Sequence, residues 1–250
     1  MQVWAVGEGG ASIEATYKCI NQLDELSHAH SVAATGELLY AGLRGEVRVF
    51  DRRRPGREST AHLLAGRRGI TSCLALHPAL PVYAAGSYDR STGLYTTQGE
   101  MLCLLQGQRG GVTQVTFTAD GTRLYTGGRK DGEIVGWDLR QPGRVLHTLQ
   151  REAATNQRVQ FTLSPCQQLL ASAGTDGSVR VWRLADTPDA QGVVAPCRAW
   201  MLHGDAVTGV GWRGGGAAPL LATCSGQRRF ADSEGAVEEG EACVRLWGLE

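Results

Sequence analysis

Lysine is almost missing from this sequence. Of 25 basic residues only Lys18 and Lys130 are lysine and the rest are arginine, while 25 acidic residues bring the formal net charge to zero. Neutrality excludes a uniformly basic nucleic-acid coat but leaves room for a local basic patch. Arginine offers a planar fork for phosphates and base edges, yet here it runs through loops of every kind and marks no site by itself. No run of 18 apolar residues occurs, so no helical membrane span is expected. The opening MQVWAVGEGG has neither a basic stretch nor an apolar run, so no secretory leader is expected. The seven cysteines, Cys19, Cys73, Cys103, Cys166, Cys197, Cys224 and Cys243, are odd in number and form no CxxC pair. Their apolar settings predict reduced, buried thiols of an intracellular protein, with no disulfide framework and no zinc site. A phosphate-cradling GxxxxGK loop, a nucleophile elbow and a paired acid and base are also lacking, so neither an enzyme nor a cofactor is expected.

What is present is a repeat. The stretch RLYTGGRKDGEIVGWDL, Arg123 to Leu139, reads as two short strands around a tight turn, the second ending in Trp137-Asp138. The same unit closes on an aromatic at Trp4, Phe50, Tyr95, Trp137, Trp182 and Trp247, at steps of 46, 45, 42, 45 and 65 residues. A period near 40–45 closing on Trp-Asp is the signature of a four-stranded propeller blade. Period-two alternation, as in Val179-Arg180-Val181-Trp182, favours strands over helices, and abundant glycine suits many tight turns.

The predicted fold is therefore all-β, a WD-repeat β-propeller with about five blades over residues 1–250, read as one partial domain. Gln2–Val6 and Ser12–Cys19 are expected to be the last two strands of a preceding blade. Blade one follows over His28–Ala34, Leu38–Leu43, Glu46–Asp51 and Thr60–Ala65. Blades two to four are complete, and blade five lacks its last strand. Either Ser12–Cys19 completes blade five and closes a five-bladed ring, or the chain is a piece of a larger one. The second is favoured, because the first leaves a surplus strand with an unpaired edge. The long final step comes from an acidic, flexible insertion at residues 227–242.

Asp89, Asp131 and Asp176 each stand just before a blade's third strand and are expected to stabilise turns by accepting backbone N–H bonds. His28 and His30 are expected on one face of a strand, within reach of a metal but without a third ligand. Antiparallel strands gather the loops after the second and fourth strands at one end of each blade. Arg44, Arg67, Arg68, Arg90, Arg109, Arg129, Lys130, Arg151, Arg158, Arg228 and Arg229 fall there. On neighbouring blades this end sets Arg129-Lys130 beside Thr155-Asn156-Gln157-Arg158. Amides next to arginines can read base edges while guanidinium holds phosphate, and a solvated polar rim is the alternative. The Gly-His that commonly precedes a blade's first strand is replaced by Gly66-Arg67 and Gly107-Gln108, which predicts an incomplete buried hydrogen-bond network.

Several loops are specific enough to carry a resemblance. GSYDRSTGLY, GGRKDGEIVGWDLRQ, REAATNQRVQF and ATCSGQRRF, with YKCINQLDELSHAHSV and VRVFDRRRPGRE, resemble the WD-repeat family of telomerase-associated Cajal-body proteins nearly from end to end. The resemblance implies a seven-bladed ring that is not an enzyme and that recognises the Cajal-body box in small Cajal-body RNAs and telomerase RNA. It further implies protein partners such as dyskerin and the telomerase reverse transcriptase, no membrane, and a place in the nucleus and Cajal bodies, with telomeres and cytoplasm as further sites. Scaffolding at DNA damage is implied too. Unpaired RNA loops are favoured because their bases can be splayed out. The expected RNA contacts are Arg129, Lys130, Asn156, Gln157 and Arg158, supported by Arg90 and Arg228. The rival reading is a protein-interaction scaffold without RNA contact.

Overall fold

Every regular element in the computed structural model, which describes residues 1–7, 10–21, 23–64, 69–213, 220–226 and 240–248, is a β-strand. A hairpin of β1 (Gln2–Gly7) and β2 (Gly10–Thr16) comes first. Blade one is β3 (Ser31–Ala34), β4 (Leu38–Gly42), β5 (Glu46–Asp51) and β6 (Thr60–Leu63). Blade two is β7 (Thr71–Leu76), β8 (Val82–Ser87), β9 (Ser91–Thr96) and β10 (Met101–Gln106). Blade three is β11 (Val112–Phe117), β12 (Arg123–Gly128), β13 (Glu133–Asp138) and β14 (Arg144–Gln150). Blade four is β15 (Phe161–Leu163), β16 (Leu169–Ala173), β17 (Ser178–Arg183) and, after the short β18 (Val193–Val194), β19 (Arg198–Met201). Blade five has β20 (Val207–Arg213), β21 (Leu220–Ser225) and β22 (Val244–Gly248). Each blade is an antiparallel meander, as the alternating pattern requires.

The apolar side chains of each sheet pack on the next sheet rather than within it. Leu94 and Leu105 of blade two meet Leu124 and Trp137 of blade three. Tyr125, Ile134 and Leu149 of blade three meet Phe161, Leu170 and Trp182 of blade four. The hairpin docks on blade one through Val3, Ala15 and Tyr17 against Leu39 and Phe50. It forms its own two-stranded sheet and pairs with no strand of blade five among the described residues.

Four expectations are corrected. β18 was not foreseen: it lies between the third and fourth strands of blade four and pairs in parallel with β14, making blade three a five-stranded sheet. Two residues are too short for any periodicity to register. His28 and His30 are exposed and stand in the segment before β3, not on a strand. Only Cys19 and Cys73 are buried, and Cys166 is exposed.

The fourth correction concerns Gly107-Gln108: the buried network is incomplete in most blades, as expected, but blade three, like blade five, completes it. In blade three the Trp137 indole donates to Thr126 Oγ1 (3.0 Å), Thr126 Oγ1 donates to Gln108 Oε1 (2.8 Å), and Gln108 Nε2 donates to Asp131 Oδ2 (2.8 Å). A carboxamide accepts at one end and donates at the other, so glutamine serves where histidine is usual. Blade five runs the same chain through Trp247, Thr223, His203 and Glu241. Blade four breaks it: Arg151 stands in the histidine's place, and the Trp182 indole N–H has no partner. Blades one and two offer no hydroxyl at this register, where Ala41 and Ala85 stand. Gly66-Arg67 lies outside the described residues.

Two outcomes follow from burial. Thr126→Val leaves the Trp137 N–H and the Gln108 carbonyl unpaired in the core and should lower stability by about 1–3 kcal/mol in equilibrium denaturation; an unchanged midpoint would show that the network carries no weight. His147, packed against Tyr125 with Nε2 3.3 Å from the hydroxyl, is pushed by burial from the ordinary 6.5 down to about 4. The unfolded imidazole protonates as pH falls through 6.5 and the folded one only near 4, so the unfolded state binds more protons in that window. Stability should therefore drop as pH falls from 6.5 towards 4, and a less steep decline is expected for His147→Gln when urea midpoints are compared across that range.

Candidate nucleic-acid interface

The loops that follow the second and fourth strands lie at one end of the blades and are laced together across blade boundaries. Each of the three turn aspartates accepts the backbone N–H two residues ahead: Ser91 to Asp89 (3.1 Å), Glu133 to Asp131 (3.0 Å) and Ser178 to Asp176 (3.1 Å). Such turns fix the loop by a local side-chain acceptor. Asp131 does more, taking the N–H of Gly110 at 2.8 Å as well as Gln108. A side chain at Gly110 would strike the Arg129 carbonyl, with a Cβ only 2.1 Å from it. The loop entering blade three can therefore press on this turn only as glycine.

The same turn is tied to the next blade. The Arg129 N–H donates to the Gly111 carbonyl (2.9 Å) and the Lys130 N–H to the Thr155 carbonyl (2.8 Å), while the Arg151 N–H donates to the Gly132 carbonyl (2.7 Å). Arg129-Lys130 and the segment carrying Asn156, Gln157 and Arg158 are thus neighbours. Lys130 and Asn156 are exposed, and their side chains make no hydrogen bond or ion pair among the described residues. Gln157 is half-buried, its N–H bound to Thr155 Oγ1 (3.2 Å). Lys130 (φ 49°) and Arg90 (φ 71°) both hold left-handed backbone, uncommon for these residue types and concentrated where a loop serves a site.

Arg129 lies 4.0 Å over the Tyr88 ring, an attraction between guanidinium and ring quadrupole that fixes an otherwise mobile side chain. Tyr88 immediately precedes the Asp89-Arg90 turn of blade two, so this contact joins the Arg90 turn to the rest. Sequence reasoning assigned Tyr88 no role; its position before a turn aspartate gave no sign that an arginine from the next blade would cover it. Arg228 lies outside the described residues, as do Arg67, Arg68, Arg229 and residues 227–239 of the acidic insertion. Glu241, counted with that insertion, is fixed on blade five by His203 and Arg245.

Two arginines of this end are not free rim charges. Arg151 is buried, donating to the carbonyls of Val159 (2.7 Å) and Gly128 (3.3 Å). Burial draws its pKa down to about 10, which leaves it charged at neutral pH. It holds backbone together and is removed from the candidate surface. Arg158 is exposed, but its Nη2 donates to the Ser72 carbonyl (2.8 Å) and lies 3.5 Å from that of His30. Those carbonyls belong to the innermost strand of blade two and the entry to blade one, so Arg158 crosses from blade four to blades one and two. Between blades three and four, Lys130, Arg109, Arg180 and Glu152 line a polar cleft of about 510 Å³. Arg109 is there paired with Glu133 at 3.1 Å.

A family model for the WD domain, G-beta repeat, matches residues 99–138 and 143–183. Each match takes the last strand of one blade with the first three of the next. Telomerase Cajal body protein 1 of Homo sapiens is 42% identical over 248 residues, which take in 96% of this chain and 44% of that protein. Its Drosophila melanogaster homolog is 33% identical over 93% of this chain and 42% of its own length. The chain thus spans less than half the length of these relatives. Among solved structures, a chain of the mitotic checkpoint complex matches with a TM-score of 0.62 at 18% identity, covering 85% of this chain and 57% of that one. That likeness concerns the fold alone.

The Arg158 strut has a measurable weight. Arg158→Ala removes a charged donor from a backbone carbonyl that faces other blades, and should cost on the order of 1 kcal/mol in chemical denaturation. Equal stability of the two proteins would leave Arg158 free for a ligand alone.

Proposed function

Since the chain belongs to the WD-repeat proteins and is related over 96% of its length to telomerase Cajal body protein 1, we propose that it is a non-enzymatic scaffold binding an unpaired RNA loop. The loop is the Cajal-body box of small Cajal-body RNAs and telomerase RNA, and binding directs these particles to Cajal bodies in the nucleus. The observation that carries this reading is the bond from the Lys130 N–H to the Thr155 carbonyl, which sets a cationic turn against an amide-bearing loop. Lys130 supplies a point charge for phosphate. Asn156 reads a base edge, where a carboxamide can accept and donate together. Arg129, held over Tyr88, offers its guanidinium plane to a splayed base. Gln157 and Arg90 border the surface, Arg228 is assigned to it from the sequence alone, and Arg158 positions the Asn156 loop through the Ser72 carbonyl. By composition, residues 227–242 are an acidic insertion in the last blade of one propeller unit.

A second reading is a protein-binding scaffold. It is favoured by an apolar cleft of about 480 Å³ between blades two and three at the opposite end, lined by Leu80, Leu102, Phe117 and Leu139. Both modes fit a particle in which telomerase proteins such as dyskerin or the reverse transcriptase accompany the RNA.

Competition between unlabelled hairpins with the box intact or scrambled, against a labelled intact hairpin at fixed salt, separates the two readings. The intact box should compete better. Asn156→Ala should relax that preference by about 1–3 kcal/mol. Equal competition by both hairpins, from protein shown to be folded by its thermal melt, would overturn base readout and leave the protein scaffold.

A further inference from the structure

Blade five differs from blade three at one register position. Asp131 and Glu133 stand six and four residues before Trp137, and Glu241 and Cys243 stand at the same distances before Trp247. In blade three the second acid turns outward to Arg109. In blade five a thiol takes its place and turns onto the buried network. Cys243 Sγ lies 2.9 Å from Glu241 Oε1 and 3.7 Å from His203 Nδ1, and those two atoms are 3.1 Å apart. The three lie within 4.8 Å of one another.

We infer that His203 Nδ1, Glu241 Oε1 and Cys243 Sγ form a zinc site at the edge of blade five, with a fourth position open to water. The circle through the three atoms has a radius of about 1.9 Å. An ion slightly off their plane therefore stands near 2.0–2.3 Å from each, the range of zinc bonds to nitrogen, oxygen and sulfur. The mixture of imidazole, carboxylate and thiolate suits zinc rather than magnesium or calcium.

The outer partners fit the same purpose. His203 is fully buried, and its Nε2 meets Thr223 Oγ1 at 2.7 Å. With the metal bound the imidazole would carry its proton on Nε2 and donate to Thr223 Oγ1, the reverse of the direction in blade three, which leaves the Nδ1 lone pair for the metal in the usual outer-shell arrangement. The Gly204 N–H holds the other carboxylate oxygen, Oε2, at 2.7 Å, while Arg245 Nη2 lies 2.5 Å from Oε1 itself, so the ion would have to displace this half-exposed guanidinium from the ligating oxygen. On binding, Cys243 releases its proton to solvent and ligates as thiolate. The ion would clamp residues 241–243, where the chain returns from the acidic insertion, onto the entry to blade five. The competing account is that the same atoms only extend the hydrogen-bonded chain seen in blade three.

The test uses the whole chain, stripped by chelator and kept reduced. Zinc is titrated against a chromophoric chelator, and cobalt(II) is added separately as a spectroscopic probe. One equivalent should bind, cobalt should show a thiolate-to-metal charge-transfer band, and zinc should raise the melting temperature. Cys243→Ser should abolish the band and weaken zinc by more than the roughly 10–100-fold cost of losing an outer-shell partner, while Cys166→Ser should change neither. A wild-type protein without the cobalt–thiolate band, or a Cys243→Ser protein that keeps it, would overturn the site. RNA competition does not depend on either result.

Discussion

A buried indole N–H without an acceptor costs free energy, and the way blades three and five supply one organises much of the chain. In blade three, Trp137 reaches Thr126, Thr126 reaches Gln108, and Gln108 reaches Asp131. The chain of bonds runs from the sheet's interior to the turn that carries Arg129 and Lys130. Asp131 also holds Gly110, so the loop entering the blade and the turn within it are set by one carboxylate. The candidate RNA surface is therefore positioned from the core outward. Lys130 and Asn156 are exposed there, but the backbone of the Lys130 turn is fixed by groups buried away from water.

Blade four leaves the demand unmet. Arg151 replaces the neutral donor and spends its guanidinium on backbone carbonyls of its own and the preceding blade, and Trp182 goes unpaired. What is lost within the blade is partly recovered between blades. Arg158 reaches back to blades one and two, and Gln114 of blade three exchanges bonds with the backbone of Phe161. The loop bearing Asn156 and Gln157 runs directly into these two braces, at Arg158 and Phe161.

The blades were legible because an antiparallel meander forces alternation and turns at short intervals, and because the closing aromatic recurs at a nearly fixed spacing. The third strand of blade one was read to the residue. Pairing chemistry was less legible. Glutamine at position 108 looked like a defect, since a missing histidine is visible in sequence while the donor and acceptor of a carboxamide are equivalent only in three dimensions. Arg151 was read as a rim charge, because nothing in a string of residues tells a solvated guanidinium from one lodged among carbonyls. The neighbourhood of Arg129, Lys130 and Asn156 could be inferred from strand direction. The Tyr88 platform could not, since it depends on how far one blade is rotated against the next.

The outer strand of a blade exposes a row of unsatisfied backbone groups, and such rows invite foreign strands. On blade three that row is partly occupied: Val193 and Val194 lie beside Thr148 and Leu149, lent by a loop of the following blade. Pairing by an incoming strand at this rim would first have to displace β18. The outermost strands of blades one and two, β6 and β10, carry no such cover among the described residues. The perimeter is thus unevenly guarded: a foreign strand would find the outer edges of β6, β10 and β19 open among the described residues, and that of the blade bearing Arg129 and Lys130 partly taken.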